Sequence, residues 1–125
     1  MMPTALVIDD NALTADSLAQ MLKALGLSAR AVYNPSAAMM ILESEVPDVV
    51  FVDVNMPGVS GFEILSYIVR EPRLEHVPVI VVSSEDQLRT RDLALRGGAS
   101  SFLRKPVMLD TLEYSLQKAG LLKAL

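Results

Sequence analysis

The sequence has no cysteine and only one histidine, His76. Without thiols it can form no disulfide framework, thiolate metal site or cysteine nucleophile. His76 lies in a polar stretch, and nothing around it marks a reactive or relay group. No apolar run approaches the roughly 20 residues of a membrane span, and the amino terminus lacks the basic flank of a secretory signal. A soluble protein of the cytoplasm is the expectation. A basic excess is also missing: the net charge of −4 argues against the broad attraction that non-specific nucleic-acid binding requires. Residues 1–62 hold two basic and seven acidic side chains, and residues 63–125 hold nine and eight. The arginines Arg89, Arg91 and Arg96 read as the solvated face of a helix. No low-complexity tract, solenoid repeat or linker divides the chain.

What is present is 125 residues, 51% of them hydrophobic, enough for one domain with a real core. Strand-like and helix-like segments alternate. Thr4 to Ile8 is apolar and β-branched and ends in Asp9 and Asp10. Asn11 caps a helix whose Ala15, Leu18, Met21, Leu22 and Leu25 recur at helical spacing, with Gly26 as the stop. Ser28 to Tyr33 is a weaker strand. Asn34 and Pro35 open a second helix, with Ala38, Ile41, Leu42 and Glu45 on one side and Pro47 at its end. Val49 onwards, V-V-F-V-D-V-N-M, is a strand buried on both faces that ends on Asp53. Ser60 and Glu63 have capping-box spacing before a helix to about Arg70. Val77 to Val82 forms the fourth strand, Ser84 and Gln87 repeat the cap spacing, and Gly97-Gly98 closes that helix. Ser100 to Arg104 is the last strand, and Leu109, Leu112, Leu116 and Ala119 mark a final buried stripe. The seven methionines are expected to fill gaps in the core.

Five strand-helix units predict an α/β fold, a doubly wound five-stranded parallel sheet of flavodoxin-like order 2-1-3-4-5. In that order the first and third strands are neighbours, so Asp9, Asp10 and Asp53 converge in the crevice at their carboxyl ends. A lone Asp at a strand end is more often a turn former, but three carboxylates together repel unless a cation relieves them. Mg²⁺ suits such a site, since it takes oxygen ligands and is commonly held by one or two carboxylates plus phosphate. Asp10 or Asp9, Asp53 and the Asn55 carbonyl could supply the set, and the lack of His and Cys disfavours zinc. Ser83 and Lys105 end the fourth and fifth strands on the same edge. Taken singly they read as a cap and a solvated charge. With the acids they describe a phosphoryl site with a carboxylate nucleophile and two donors.

These residues resemble the receiver domain of two-component response regulators over essentially the whole chain. The likeness rests on the Asp9-Asp10 pair, the D-V-N-M-P-G run from Asp53 to Gly58, Ser83, and Lys105-Pro106. The resemblance implies that Asp53 accepts a phosphoryl group from a histidine kinase or phosphotransfer protein. It also implies that Asp9, Asp10, Asp53 and Asn55 hold Mg²⁺, that Ser83 contacts the phosphoryl group and Lys105 pairs with it, and that Lys105-Pro106 is cis. Phe102 occupies the position of an aromatic switch residue, and Glu85 with Asn55 that of residues tuning acyl-phosphate lifetime. Ser60 and Ser84 depart from the residues most frequent at their positions without removing an essential group.

The expected output is a binding event at the surface of the fourth helix, fifth strand and fifth helix, not turnover of an external substrate, so the chain is not expected to be an enzyme. Residues 1–125 are expected to form one receiver domain with no effector domain, acting alone or as part of a longer chain. Dimerisation on phosphorylation and an unidentified output partner belong to the same expectation. One alternative is a receiver-like binding module not regulated by phosphate. Another is a small aspartyl phosphatase, which is disfavoured because Asn55 stands where such enzymes carry a proton-donating acid. A flavin phosphate would be repelled by the acidic first loop.

Overall fold

The computed structural model describes residues 2–56, 58–84 and 88–123. The strands are β1 (Thr4–Ile8), β2 (Ser28–Val32), β3 (Val49–Asp53), β4 (Val79–Ser83) and β5 (Ser101–Arg104). The helices are α1 (Ala12–Ala24), α2 (Pro35–Ser44), α3 (Gly61–Arg70), α4 (Leu88–Arg96) and α5 (Leu109–Lys118), with a short 3-10 turn at Pro72–Leu74. All strand pairs are parallel, in the order β2-β1-β3-β4-β5. This is the predicted flavodoxin-like order.

Burial follows position in the sheet. The interior strands β3 and β4 are buried at every residue, whereas the edge strand β2 alternates between exposed and half-buried before ending on Val32. One core, around Leu18, Leu22, Phe51, Leu112 and Leu116, joins α1 and α5 to one face of the sheet. The other joins α2, α3 and α4 to the opposite face through Leu42, Val52, Ile64, Leu65 and Ala94. Helices on both faces explain why the strands read as continuous apolar runs rather than alternating ones.

Local signals were mostly obeyed. Asn11 Oδ1 accepts from Thr14 N at 3.1 Å and Asn34 Oδ1 from Ala37 N at 2.8 Å, each capping its helix. Five expectations need correction. Ser60 is the residue before α3 but its side chain makes no cap hydrogen bond, so the Ser60/Glu63 capping box does not form. Glu45 is not on the helical side shared by Ala38 and Leu42: α2 ends at Ser44, and Glu45 is extended at φ −127° and ψ 153°. Its two carboxylate oxygens both accept from the one nitrogen Arg30 Nη2, each at 2.8 Å. Leu109, in the first turn of α5, is exposed. Among the described methionines only Met56 is buried, while Met2, Met40 and Met108 lie outside and Met21 and Met39 are half-buried. β4 also starts at Val79 rather than Val77, because Val77 N is committed to Leu74 O at 3.0 Å and Pro78 has no N–H to give. Gln87, the far half of the second capping signal, lies outside the described residues, as do Pro57 and Glu85.

Candidate functional site

β1 and β3 are adjacent, with Ile8 opposite Val52. The next residue on each strand is therefore an aspartate at the same sheet edge, and both side chains are buried, Asp9 4% and Asp53 5% exposed. Each carboxylate is anchored by the backbone two residues on: Asp9 Oδ1 accepts from Asn11 N at 3.0 Å and Asp53 Oδ1 from Asn55 N at 3.1 Å. These short loops fix one oxygen of each group and turn the other towards its neighbour.

Between the two free oxygens sits Lys105. Its Nζ lies 2.7 Å from Asp9 Oδ2 and 3.4 Å from Asp53 Oδ2, so one ammonium serves two carboxylates. It gets there because β5 pairs with β4, with Arg104 opposite Ser83, and Lys105 N donates to Ser83 O at 2.9 Å. The Lys105–Pro106 peptide is cis, as the resemblance implied. Ser83 is fully buried at the end of β4, where its Oγ accepts from Asn55 Nδ2 at 3.4 Å. Asp10 is exposed, yet Asp9, Asp10 and Asp53 each present an oxygen within 4.8 Å of the other two.

Burial raises the affinity of Asp53 for a proton above the ordinary carboxylate range. The Asn55 N–H and the Lys105 charge oppose this only in part, and the Asp9 charge adds to it. For Lys105 burial works against the ammonium, but its hydrogen bond to Asp9 and the negative charges of Asp53 and Asp9 outweigh it, so its pKa is raised. The site is thus an electrostatically crowded carboxylate pair held in check by one cation. Three carboxylate oxygens within 4.8 Å of one another, with neither His nor Cys among them, are the donor set that could hold Mg²⁺.

Two contributors escaped the sequence reading. Gly61 starts α3 directly against the end of β3, and a Cβ there would lie 2.7 Å from Val54 Cα. Only glycine lets the helix pack this close to the strand that carries Asp53. Gly61 had been visible only as a residue inside a cap motif, since the close approach depends on tertiary packing. The second is a cleft of about 410 Å³ between α1 and the turn after β5, lined by Leu13, Thr14, Met21 and Val107, with Asp53 in its wall. Phe102 is half-buried in β5 against the core on the α3 side, away from the carboxylates.

The model of the response regulator receiver domain matches residues 5–117. The chain belongs to that family. It is a receiver domain of two-component signalling. It is 32% identical over 111 residues to the protein PilH of Pseudomonas aeruginosa, covering 89% of this chain and 92% of that one. Against the two-component response regulator ORR8 of Oryza sativa it is 31% identical, covering 86% and 89%. The signal receiver domain of a DNA binding response regulator from Colwellia psychrerythraea superposes with a TM-score of 0.87 at 29% identity, covering 93% of this receiver and 96% of that chain. The receiver covers only 22% of the response regulator PleD of Caulobacter vibrioides, at 30% identity. Among the described residues, no helix is long and apolar enough to cross a membrane.

Proposed function

We propose that this receiver is a phosphorylation switch of the cytoplasm in which Asp53 accepts a phosphoryl group from a histidine kinase or phosphotransfer protein. The observation that carries the reading is the sharing of Lys105 by two buried carboxylates, 2.7 Å from Asp9 and 3.4 Å from Asp53. An Asp53 oxygen attacks phosphorus in line, the phosphorus–nitrogen bond of the donor phosphohistidine breaks, and the electron pair returns to the imidazole. Asp9, Asp10, Asp53 and the Asn55 carbonyl would hold Mg²⁺, which supplies positive charge to the phosphoryl oxygens. Asp53 is almost wholly buried, so the donor needs an opening, and the cleft walled by Leu13, Met21 and Val107 offers one.

Lys105 and the Ser83 hydroxyl bind the new phosphoryl oxygens. The Ser83 hydroxyl accepts from Asn55 Nδ2 and gives its own proton to a phosphoryl oxygen, which draws in the loop after β4 and leaves room for the half-buried Phe102 to turn. The α4-β5-α5 surface changes with it, and a partner that prefers the changed form shifts the population by its difference in affinity. Glu85 and Asn55 set the lifetime of the acyl phosphate. The domain takes part in its own modification but turns over no external substrate.

Acetyl phosphate with Mg²⁺ is expected to add one phosphoryl mass to the intact protein and none after chelation. Beryllofluoride with Mg²⁺ is expected to shift amide resonances from Ser83 to Lys105. An unmodified mass together with unperturbed amides at saturating reagent overturns the reading in favour of a binding module indifferent to phosphate.

A further inference from the structure

The cleft beside Asp53 has the size and lining of a ligand site. Its volume of about 410 Å³ falls in the range of small-molecule pockets, roughly 300–1,000 Å³. Leu13, Ser17 and Met21, spaced four residues apart on α1, form one wall, Val107 closes the other side, and Phe51 and Val82 of the sheet make the floor. The lip is apolar and uncovered. Leu13 is 79% exposed and belongs to neither core cluster, while Met21 and Val107 are half-buried. Ser17 stands between the two larger side chains of α1 and is too short to fill the space.

One end of the cleft is polar and carries net negative charge. Of the charged residues that line it, Asp9 and Asp53 are buried, and Lys105 is already shared between them. Asp10 adds a third carboxylate oxygen within 4.8 Å of theirs, and the sequence after Ser83 brings Glu85 and Asp86 rather than a base. Arg104 is exposed and does not line the cleft. An anionic head group would meet carboxylates whose one cation is taken. A wholly apolar molecule would leave those carboxylates facing hydrocarbon. A cationic head meets neither cost.

We infer that the cleft binds a small primary amine with an aromatic or branched apolar body. Its ammonium, with three N–H donors, lies among Asp9, Asp10 and Asp53, where Mg²⁺ would otherwise sit. Its body covers Phe51 between Leu13, Met21 and Val107. The carboxylates alone would take any cation; the apolar walls select the amphipathic ones. Bound there, the amine competes with the metal and closes the path to Asp53, so a rise in such an amine is a brake on phosphorylation. The brake rests on the switch reading above, whereas the binding of the amine does not.

The test titrates the metal-free full chain with 2-phenylethylamine, with ethylamine, which lacks the ring, and with 3-phenylpropionate, which keeps the ring and reverses the charge. Phenylethylamine is expected to shift the amides of Asp10, Leu13, Met21 and Val107 with half-saturation at about one millimolar. It is expected to bind at least about tenfold more tightly than either other probe. Ser17→Leu, which fills the wall, is expected to weaken phenylethylamine about tenfold and to leave the ethylamine and Mg²⁺ titrations unchanged. Leu13→Ala, at an exposed position that the fold does not depend on, is expected to weaken it about threefold. Equal affinity for phenylethylamine and ethylamine reduces the site to its carboxylates and overturns the assignment, as does equal affinity for phenylpropionate. So do shifts at Leu13 and Met21 that appear on concentrating the protein alone and ignore the amine, which put a second copy in the cleft. The brake has its own readout. Phenylethylamine is expected to slow the gain of phosphoryl mass from acetyl phosphate and Mg²⁺ in the wild type and not in Ser17→Leu, and an unchanged rate with the cleft saturated refutes it. A protein that takes the amine but neither Mg²⁺ nor phosphate keeps the amine site and refutes the switch.

Discussion

Asp48 and Asp53 stand at the two ends of one strand and are held in opposite ways. Asp48 precedes β3 at the exposed amino edge, where its Oδ2 accepts from Thr4 N at 2.7 Å and Thr4 Oγ1 at 3.2 Å. It ties β3 to β1, and water reaches what the protein leaves over. Asp53 ends β3 at the other edge, buried beside a second carboxylate and sharing a single ammonium with it. The same side chain is therefore a fastening at one end and, in the proposed switch, the phosphoryl acceptor at the other. What differs is burial and the ratio of negative to positive charge, and neither is a property of the residue itself.

The largest expected effect separates the two ends outright. Asp53→Asn should abolish phosphorylation by acetyl phosphate, as read by intact mass, while Asp48→Asn should be modified as fully as the wild type. Modification of both variants alike would place the acceptor elsewhere and erase the contrast.

Next comes the packing that makes the reactive end so tight. Gly61→Ala puts a methyl group against the backbone of Asp53 and Val54, and neither can move without disturbing β3. A loss of about 3 kcal/mol in urea unfolding is expected, at the upper end of overpacking costs. Gly26→Ala meets no atom within 4 Å, although Gly26 has φ +97°, and should cost only about 1 kcal/mol of backbone strain. Equal losses would mean that β3 and α3 do not approach as described.

That contrast also marks how far the sequence could be read. Alternating apolar runs and caps gave the five strand-helix units, and the strand order then brought Asp9, Asp53, Ser83 and Lys105 to one edge. Periodicity and topology are carried by many residues, so the misplacement of Leu109 or Glu45 did not disturb them. Gly61 and the cleft beside α1 were not legible, because each depends on the distance between two elements rather than on the pattern within one. The Ser60/Glu63 motif misled for a related reason: α3 is positioned by its contact with β3, and the side-chain bonds that would cap it in isolation are not made.

A smaller effect tests the charge imbalance directly, in metal-free buffer. The folded protein holds a proton on Asp53 more tightly than the unfolded chain, burial being the main cause. The stability this contributes is fully present below the unfolded value of about pH 4 and is lost as pH rises through the raised folded value. Asp53→Asn carries no such charge. In urea titrations its stability relative to wild type should rise as pH climbs out of the acid range, and the gain should close again below about pH 4. Asp48→Ala should instead be destabilised by about 1 kcal/mol at neutral pH through loss of its bonds to Thr4. A neutral-pH loss in Asp53→Asn would show the ionised carboxylate to be a net support of the fold.

The smallest effect concerns an ion pair that looks stronger than the one at the site. Arg30 Nη2 meets both oxygens of Glu45 at 2.8 Å, but both side chains are about half exposed, 53% and 54%. Lys105 and Asp9 meet at 2.7 Å with only 18% and 6% exposed. Water screens the first pair and not the second, so Arg30→Ala should cost no more than about 0.5 kcal/mol and lose even that in high salt. Lys105→Ala leaves two buried carboxylates with no cation between them. It should unfold at distinctly lower urea, and added Mg²⁺ should restore part of the difference. If the two substitutions cost the same, distance rather than burial decides what an ion pair contributes here, and the reactive end of β3 would owe nothing special to its seclusion from solvent.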